Sequence, residues 1–319
     1  MSEPWFILGA GALGTLFGGQ LTLAGVANTL LHHRPATQRR RLRVDGQLHE
    51  RRVLPLAGLS RGQIRRLLLT TKAGQVAPAL SAAAPFLHER AVVVIAANGL
   101  GFDTARPDAL AGRRIVRAVS TAGAYRQGPG QGQQAANRQG SPAEHDVVIA
   151  VTGGETLVGD GRTEAAEWFA DSLAAVAGWR WSARIERAVQ RKFAINCAIN
   201  GLSALHRCRN GELLDGGAAG APLRALCNEL EPALRTLQLW REAQPLLSAV
   251  EDVCRQTAAN RSSMLQDVDA ARGTEIAFLN GELLRRAAAH KLALPLNRAL
   301  VRDLTRLEAL NPLSAPMRR

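Results

Sequence analysis

An α/β first domain of the doubly wound kind, followed by an all-helical second domain, is the fold class that this sequence predicts, on three observations. Continuous apolar runs alternate with helical pieces through the first half of the chain, as in a parallel sheet covered on both faces. A glycine-rich turn joins the first of these runs to the first helical piece. From about Ala183 onward the strand pattern stops and apolar residues recur at helical spacing.

Residues 5–8 form a short apolar run, 14–24 have helical composition, and 28–31 are a second short strand. Residues 67–71 (LLLTT) and 91–97 (AVVVIAA) read as buried strands, 115–119 as another, and 75–84 as a helix between them. Residues 147–150 and 156–158 flank Gly153-Gly154 and predict a hairpin, and 163–177 predict a helix of the first domain. Residues 127–144 are rich in Gln and Gly, lack hydrophobic periodicity and read as a long mobile loop. Helices are expected over 185–205, 223–239, 243–258, 275–290 and 297–309. The boundary falls near 178–182, giving domains 1–180 and 181–319.

The 319 residues suffice for two domains, and 46% hydrophobic with 21% charged residues is a normal globular balance. No apolar run approaches the roughly 18–20 residues of a spanning helix. The start, MSEPWFILGAG, has an acid, a proline and no basic region, so neither signal peptide nor membrane association is expected and the cytoplasm is the expected compartment. The four cysteines form no C-x-x-C pair and read as reduced thiols, and the seven histidines show no metal-binding spacing, so no metal site is assigned. The net charge of +13, from 40 basic and 27 acidic residues, raises the question of nucleic acid. The arginines are spread among acids, however, and 4% aromatic residues leave few stacking platforms. A site for anionic small molecules is the expectation. The densest basic cluster, Arg39-Arg40-Arg41 to Arg51-Arg52, is expected to sit beside that ligand site, at the cofactor read from the glycine turn below.

Gly9-Ala10-Gly11-Ala12-Leu13-Gly14 is G-x-G-x-x-G, placed after a strand and opening a helix, the context a dinucleotide site requires. The first glycine allows the tight turn, the second lets backbone approach the pyrophosphate, and the third lets helix and strand pack closely. The first domain is therefore of Rossmann type. The second strand ends Leu30-Leu31-His32-His33-Arg34, without the acid that binds both ribose hydroxyls in NAD sites. Arg34, with His33 beside it, offers donors to a 2′-phosphate, so NADPH is expected. Lys72 and Asn98 end apolar strands, where ligands of open α/β sheets sit. Either could also be an ordinary turn residue.

In the second half, Lys192, Asn196 and Asn200 lie four residues apart, in one row along a helix face among Phe193, Ile195, Cys197 and Ile199. Asparagine is a poor helix former and costly to bury unpaired, so this row suggests a polar ligand. A solvated stripe is the plain alternative. Ser262-Ser263-Met264 and Thr274-Glu275 read, unaided, as turns and caps.

The order of these segments resembles the ketopantoate reductases (2-dehydropantoate 2-reductases), within the 6-phosphogluconate-dehydrogenase-like group. The carriers are GAGALG, TTKAGQ around Lys72, NGLG from Asn98, RKFAINCAINGLSAL from Arg191, RNGEL around Asn210, SSMLQD from Ser262 and TEIAFLNGELL from Thr274, over about residues 5–305. The resemblance implies NADPH-dependent reduction of 2-dehydropantoate to (R)-pantoate in pantothenate biosynthesis, with Lys192 as general acid and Glu275 holding substrate and lysine. It implies that Asn98, Asn196, Asn200, Asn210 and Ser263 bind substrate. It places Gly9, Ala10, Gly11, Ala12, Leu13, Gly14, His33, Arg34, Lys72 and Asn98 at the cofactor. It further implies an interdomain cleft with hinge closure, a small 2-oxo acid as substrate, and a monomer or homodimer. Ala277 stands where the family often has Asp, Gly201 where it often has Pro, and the 127–144 segment is unusually long. Another branched 2-oxo acid or an imine as substrate, an NADP sensor, or a basic nucleic-acid partner are the alternatives.

Overall fold

The computed structural model describes residues 3–102, 110, 112–127, 147–151, 153–215 and 220–310. The predicted loop at 127–144 lies outside them but for Gln127. The chain divides into two compact units, Met1–Ala97 with Ala105–Glu186, and Asn98–Thr104 with Arg187–Arg319.

The first unit carries one mixed sheet. Its strands are β1 (Trp5–Leu8), β2 (Asn28–His32), β3 (Gln38–Val44), β4 (Gln47–Pro55), β5 (Ile64–Leu69), β6 (Leu87–Ile95), β7 (Arg114–Ser120), β8 (Ala124–Gln127), β9 (Val147–Ala150), β10 (Thr156–Gly159) and β11 (Trp179–Trp181). They run in the order β11-β10-β7-β6-β5-β1-β2-β4-β3-β9-β8. The centre, β2-β1-β5-β6-β7, is parallel throughout. Its strands are the apolar runs of the sequence, and Trp5, Ile7, Leu30, Leu68, Val94 and Val116 from them sit in the core. Helix α1 (Ala12–Leu23) packs on it through Leu16, Phe17 and Leu21, all buried. The second helix, α2 (Val76–Ala83), follows β5.

The structure corrects two expectations and adds several elements. Residues 147–150 and 156–159 do not form a hairpin: β9 pairs with β3 and β8, while β10 pairs with β7 and β11. Gly153 and Gly154 instead take φ +87° and +102°. A Cβ on Gly154 would run into the Ala122 backbone, so glycine lets the chain pass there. The helix expected over 163–177 shrinks to α3 (Glu167–Ala170) and a 3-10 turn at Leu173–Ala175. Ser172 breaks it at φ −142°, ψ −63°. Its hydroxyl donates to the Trp168 carbonyl at 2.7 Å and accepts from Trp5 Nε1 at 3.0 Å, so a buried hydrogen-bond hub replaces the next helical turn. Among the added elements is the β3–β4 hairpin, which holds the arginine cluster and turns through Asp45 and Gly46 at φ 47° and 80°.

In the second unit every described element is helical: α4 (Ile185–Leu205, all but its first two residues), α5 (Gly220–Thr236), α6 (Leu246–Gln256), α7 (Ser263–Asp269), α8 (Asn280–Ala289) and α9 (Pro295–Ala309). Helix α4 has the predicted limits. The segment from Glu275 begins as a 3-10 turn, Ile276–Phe278, before α8. No described helix is long and apolar enough to cross a membrane.

Candidate active site

The first unit holds the glycine loop between β1 and α1. Gly9 has φ +116°, and a Cβ there would lie 2.9 Å from the Thr70 carbonyl carbon. Thr70 Oγ1 donates to the Gly9 carbonyl at 2.8 Å, pinning the loop to the end of β5. A Cβ on Gly14 would collide with the Gly9 carbonyl oxygen and with Thr70 Oγ1, so this glycine lets α1 start close against the strands. A Cβ on Gly11 meets nothing within 4 Å. That open side and a helix start with no side-chain cap and no acid in its first turn fit a pyrophosphate against backbone N–H groups. Ala10, Ala12 and Leu13 lie in the same loop and first turn.

At the end of β2 no carboxylate appears. His33 and Arg34 are exposed. His32 is buried, its Nδ1 accepts from the Arg34 backbone N–H at 3.0 Å, and burial lowers its pKa. The neutral ring thus shapes the turn that presents Arg34. Lys72 follows Thr70 by two residues, begins the 3-10 turn Ala73–Gln75, and is partly buried. These residues fit a dinucleotide, and the end of β2 carries cations where many NAD sites have an acid.

Asn98 belongs to the second unit. Gly99, next to it, has φ +84°, a Cβ there would run into the Phe278 carbonyl, and Leu100 N–H donates to that carbonyl at 3.0 Å. The turn after β6 is thereby docked on the segment carrying Glu275. Asn98 Nδ2 donates to Glu275 Oε2 at 3.1 Å, and Lys192 Nζ donates to Asn98 Oδ1 at 2.8 Å. Lysine, amide and carboxylate form one hydrogen-bonded chain, all three partly buried. Desolvation by burial draws the Lys192 ammonium down to about 8, against the Glu275 carboxylate, which favours its charge.

The other candidates of this unit are in different states. Asn196 and Asn200 continue the α4 row from Lys192, and Asn200 is 7% exposed. Neither side chain has a hydrogen-bond partner among the described residues. Asn210 is buried, donates to Thr257 Oγ1 at 2.9 Å and leaves its Oδ1 unpartnered. Ser263 is exposed at the start of α7. Its neighbour Ser262 is the cap: its hydroxyl accepts from Leu265 N–H at 3.1 Å and from Ser203 of α4 at 2.7 Å. Neither Asn210 nor Ser263 hydrogen-bonds to Lys192, Asn98 or Glu275.

Near the glycine loop Thr70 escaped the sequence reading, whereas the cluster containing Arg40 was read as lying beside the cofactor site, without its contact. Thr70 anchors Gly9, and Arg40 of β3 donates Nε–H to the Ala10 carbonyl at 3.0 Å. The Asp45-Gly46 pair, a common two-residue hairpin turn, was the signal that could have placed Arg40. A groove of about 830 Å³ lined by Glu3, Arg66, Arg114, Arg162 and Trp168 contains none of the candidate residues.

A Rossmann-type α/β unit followed by a helical unit that carries a lysine–amide–carboxylate chain defines the class of protein. Two family models match, ketopantoate reductase PanE/ApbA over residues 5–141 and its C-terminal model over 184–308. A 2-dehydropantoate 2-reductase of Vibrio cholerae is 32% identical, covering 95% of this chain and 97% of its own. One of Pyrococcus horikoshii is 27% identical, covering 92% and 93%. The fold matches a ketopantoate reductase structure from Ralstonia eutropha with TM-score 0.79 at 24% identity, covering 97% of this chain and 99% of that one. It matches a D-mandelate dehydrogenase solved with NADH and anilino(oxo)acetate with TM-score 0.82 at 21% identity, with the same coverage. The chain belongs to the ketopantoate reductase family.

Proposed function

We propose that this chain reduces the C2 ketone of 2-dehydropantoate to (R)-pantoate in pantothenate biosynthesis, with NADPH as reductant and Lys192 as general acid. The observation that carries this reading is the chain Lys192–Asn98–Glu275, with a lysine drawn to about 8. The family and its curated relatives supply the substrate. The absence of an acid at the end of β2, together with exposed Arg34 and nearby Lys72, supports NADPH over NADH. Residues 1–180 hold the cofactor and 181–319 carry the acid and most of the substrate contacts.

When bound, the reduced nicotinamide supplies hydride to C2. The ketone oxygen gains charge as C2 gains hydride, and Lys192 delivers the proton that completes the alcohol. A lysine near 8 is still mostly protonated at neutral pH, yet releases its proton far more readily than one near 10. Glu275 keeps it charged before transfer, and Asn98 holds the ammonium at a fixed point. The amides of Asn196 and Asn200, lacking partners among the described residues, serve the substrate carboxylate and hydroxyl, with Ser263 and Asn210 as further donors. The enzyme works in the cytoplasm as a monomer or homodimer; a Staphylococcus aureus ketopantoate reductase of the same fold is described as dimeric.

Steady-state assays with 2-dehydropantoate and a panel of other 2-oxo acids, each with NADPH and NADH, test the substrate and cofactor. Lys192→Ala lowers kcat by about 10²-fold or more, the usual worth of a general acid. Near-normal kcat in that variant removes Lys192 from the role. A higher kcat/KM with another 2-oxo acid reassigns the substrate.

A further inference from the structure

We infer that Arg40 is a second guanidinium for the 2′-phosphate of the cofactor and, with Arg34, sets its preference for the phosphorylated dinucleotide. The inference rests on the reading of NADPH as cofactor and assigns it a residue on a strand that the glycine motif does not include.

Side chains of β3 alternate between two faces. Leu42 is buried against α1, where a Cβ on Gly19 would run into it. Arg40, two residues earlier, therefore stands on the same face, toward the start of α1. Its Nε–H donates to the Ala10 carbonyl at 3.0 Å, Nη2 to Gln38 Oε1 at 3.0 Å, and Nη1 to the Arg39 carbonyl at 3.0 Å. These bonds fix the guanidinium beside the glycine loop.

The neighbouring arginines are drawn elsewhere. Arg51, the cross-strand partner of Arg40, donates to Gly18, Thr22 and Asn28 farther along α1 and β2. Arg39 and Arg41 both pair with Glu50. Arg40 touches the loop through the Ala10 carbonyl. It also lies near the end of β2, since its charge is among the influences that lower the pKa of His32. The ribose 2′ group of a Rossmann-bound dinucleotide lies where the end of β2 meets the glycine loop. Arg34 approaches that point from the β2 turn and Arg40 from β3. A phosphate near −2 charge takes two guanidinium forks well.

The test is calorimetric binding of NADPH, NADH and 2′,5′-ADP to the full-length wild type, Arg40→Gln, Arg40→Lys and Arg34→Glu. Arg40→Gln is expected to weaken NADPH and 2′,5′-ADP by about tenfold or more, as for loss of a charged hydrogen bond, and NADH by less than about twofold. Arg40→Lys keeps the charge without the fork and gives an intermediate loss of preference, about threefold. If Arg40→Gln does not fold, Arg40→Lys decides by the same ratio. Equal weakening of NADPH and NADH makes Arg40 a pin for the loop and overturns the inference, as does no change. If wild type prefers NADPH and Arg34→Glu abolishes that preference while Arg40→Gln does not, the inference on Arg40 fails alone. If wild type binds NADH as well as NADPH, the cofactor reading fails and this inference with it.

Discussion

Replacing Lys192 by methionine should make the protein more stable at neutral pH while disabling it. Burial lowers the ammonium pKa from 10.5 to about 8. At about 1.4 kcal/mol per pH unit, keeping that charge in the folded protein costs about 3 kcal/mol. The sign follows from proton binding. Below about pH 8 the lysine is protonated both folded and unfolded, and the cost is borne in full. Between about 8 and 10.5 the folded protein holds fewer protons than the unfolded chain, so wild-type stability rises with pH. Methionine fills similar space without charge. It forfeits the bond to Asn98, worth about 1.5 kcal/mol. The net gain at pH 7 is about 1–2 kcal/mol, and it vanishes by pH 10.5, where wild type no longer bears the cost. Urea unfolding of both proteins at the two pH values measures it. A variant less stable than wild type at pH 7, or a difference that does not change with pH, refutes the reasoning.

Further outcomes follow from the same geometry. The kcat/KM of ketone reduction falls as pH rises through about 8, because the acid must be protonated, and Glu275→Gln moves that fall to lower pH by removing the charge that raises Lys192; pH profiles of kcat/KM show it. Arg34→Glu weakens NADPH far more than NADH in direct binding, whereas equal loss of both removes Arg34 from the 2′-phosphate. Gly11→Ala leaves folding stability within about 0.5 kcal/mol, since its Cβ meets nothing within 4 Å, yet impairs nucleotide binding. Gly14→Ala collides with Gly9 and Thr70 and costs about 1–3 kcal/mol, read as a lower melting temperature.

The parallel centre of the sheet was legible because its strands are buried on both faces and so read as unbroken apolar runs. Helix α4, 21 residues long, was legible because Lys192, Asn196 and Asn200 recur at helical spacing among apolar neighbours. The β3–β4 hairpin was hidden by its composition: QRRRLRV places arginines on both faces, so period-two alternation is lost. The segment at 163–177 misled because Trp168, Phe169, Leu173 and Val176 bury as a helix face would, while Ser172 spends its hydroxyl on distant partners. At the site, Lys192, Asn98 and Glu275 could each be named from sequence motifs. Their assembly could not, because the Asn98–Glu275 bond spans 177 positions and depends on Gly99 fitting under the Phe278 carbonyl.

The amide of Asn98 gives the chain Lys192–Asn98–Glu275 a direction. Its oxygen faces the ammonium and its NH₂ faces the carboxylate, so both polar ends are matched and neither can be exchanged without setting like against like. An amide carries field but no exchangeable acid proton at neutral pH. Through this link Glu275 influences Lys192 by its field and hands it no proton. In the proposed reaction the amide link that holds the acid charged is thus distinct from the step that recharges it.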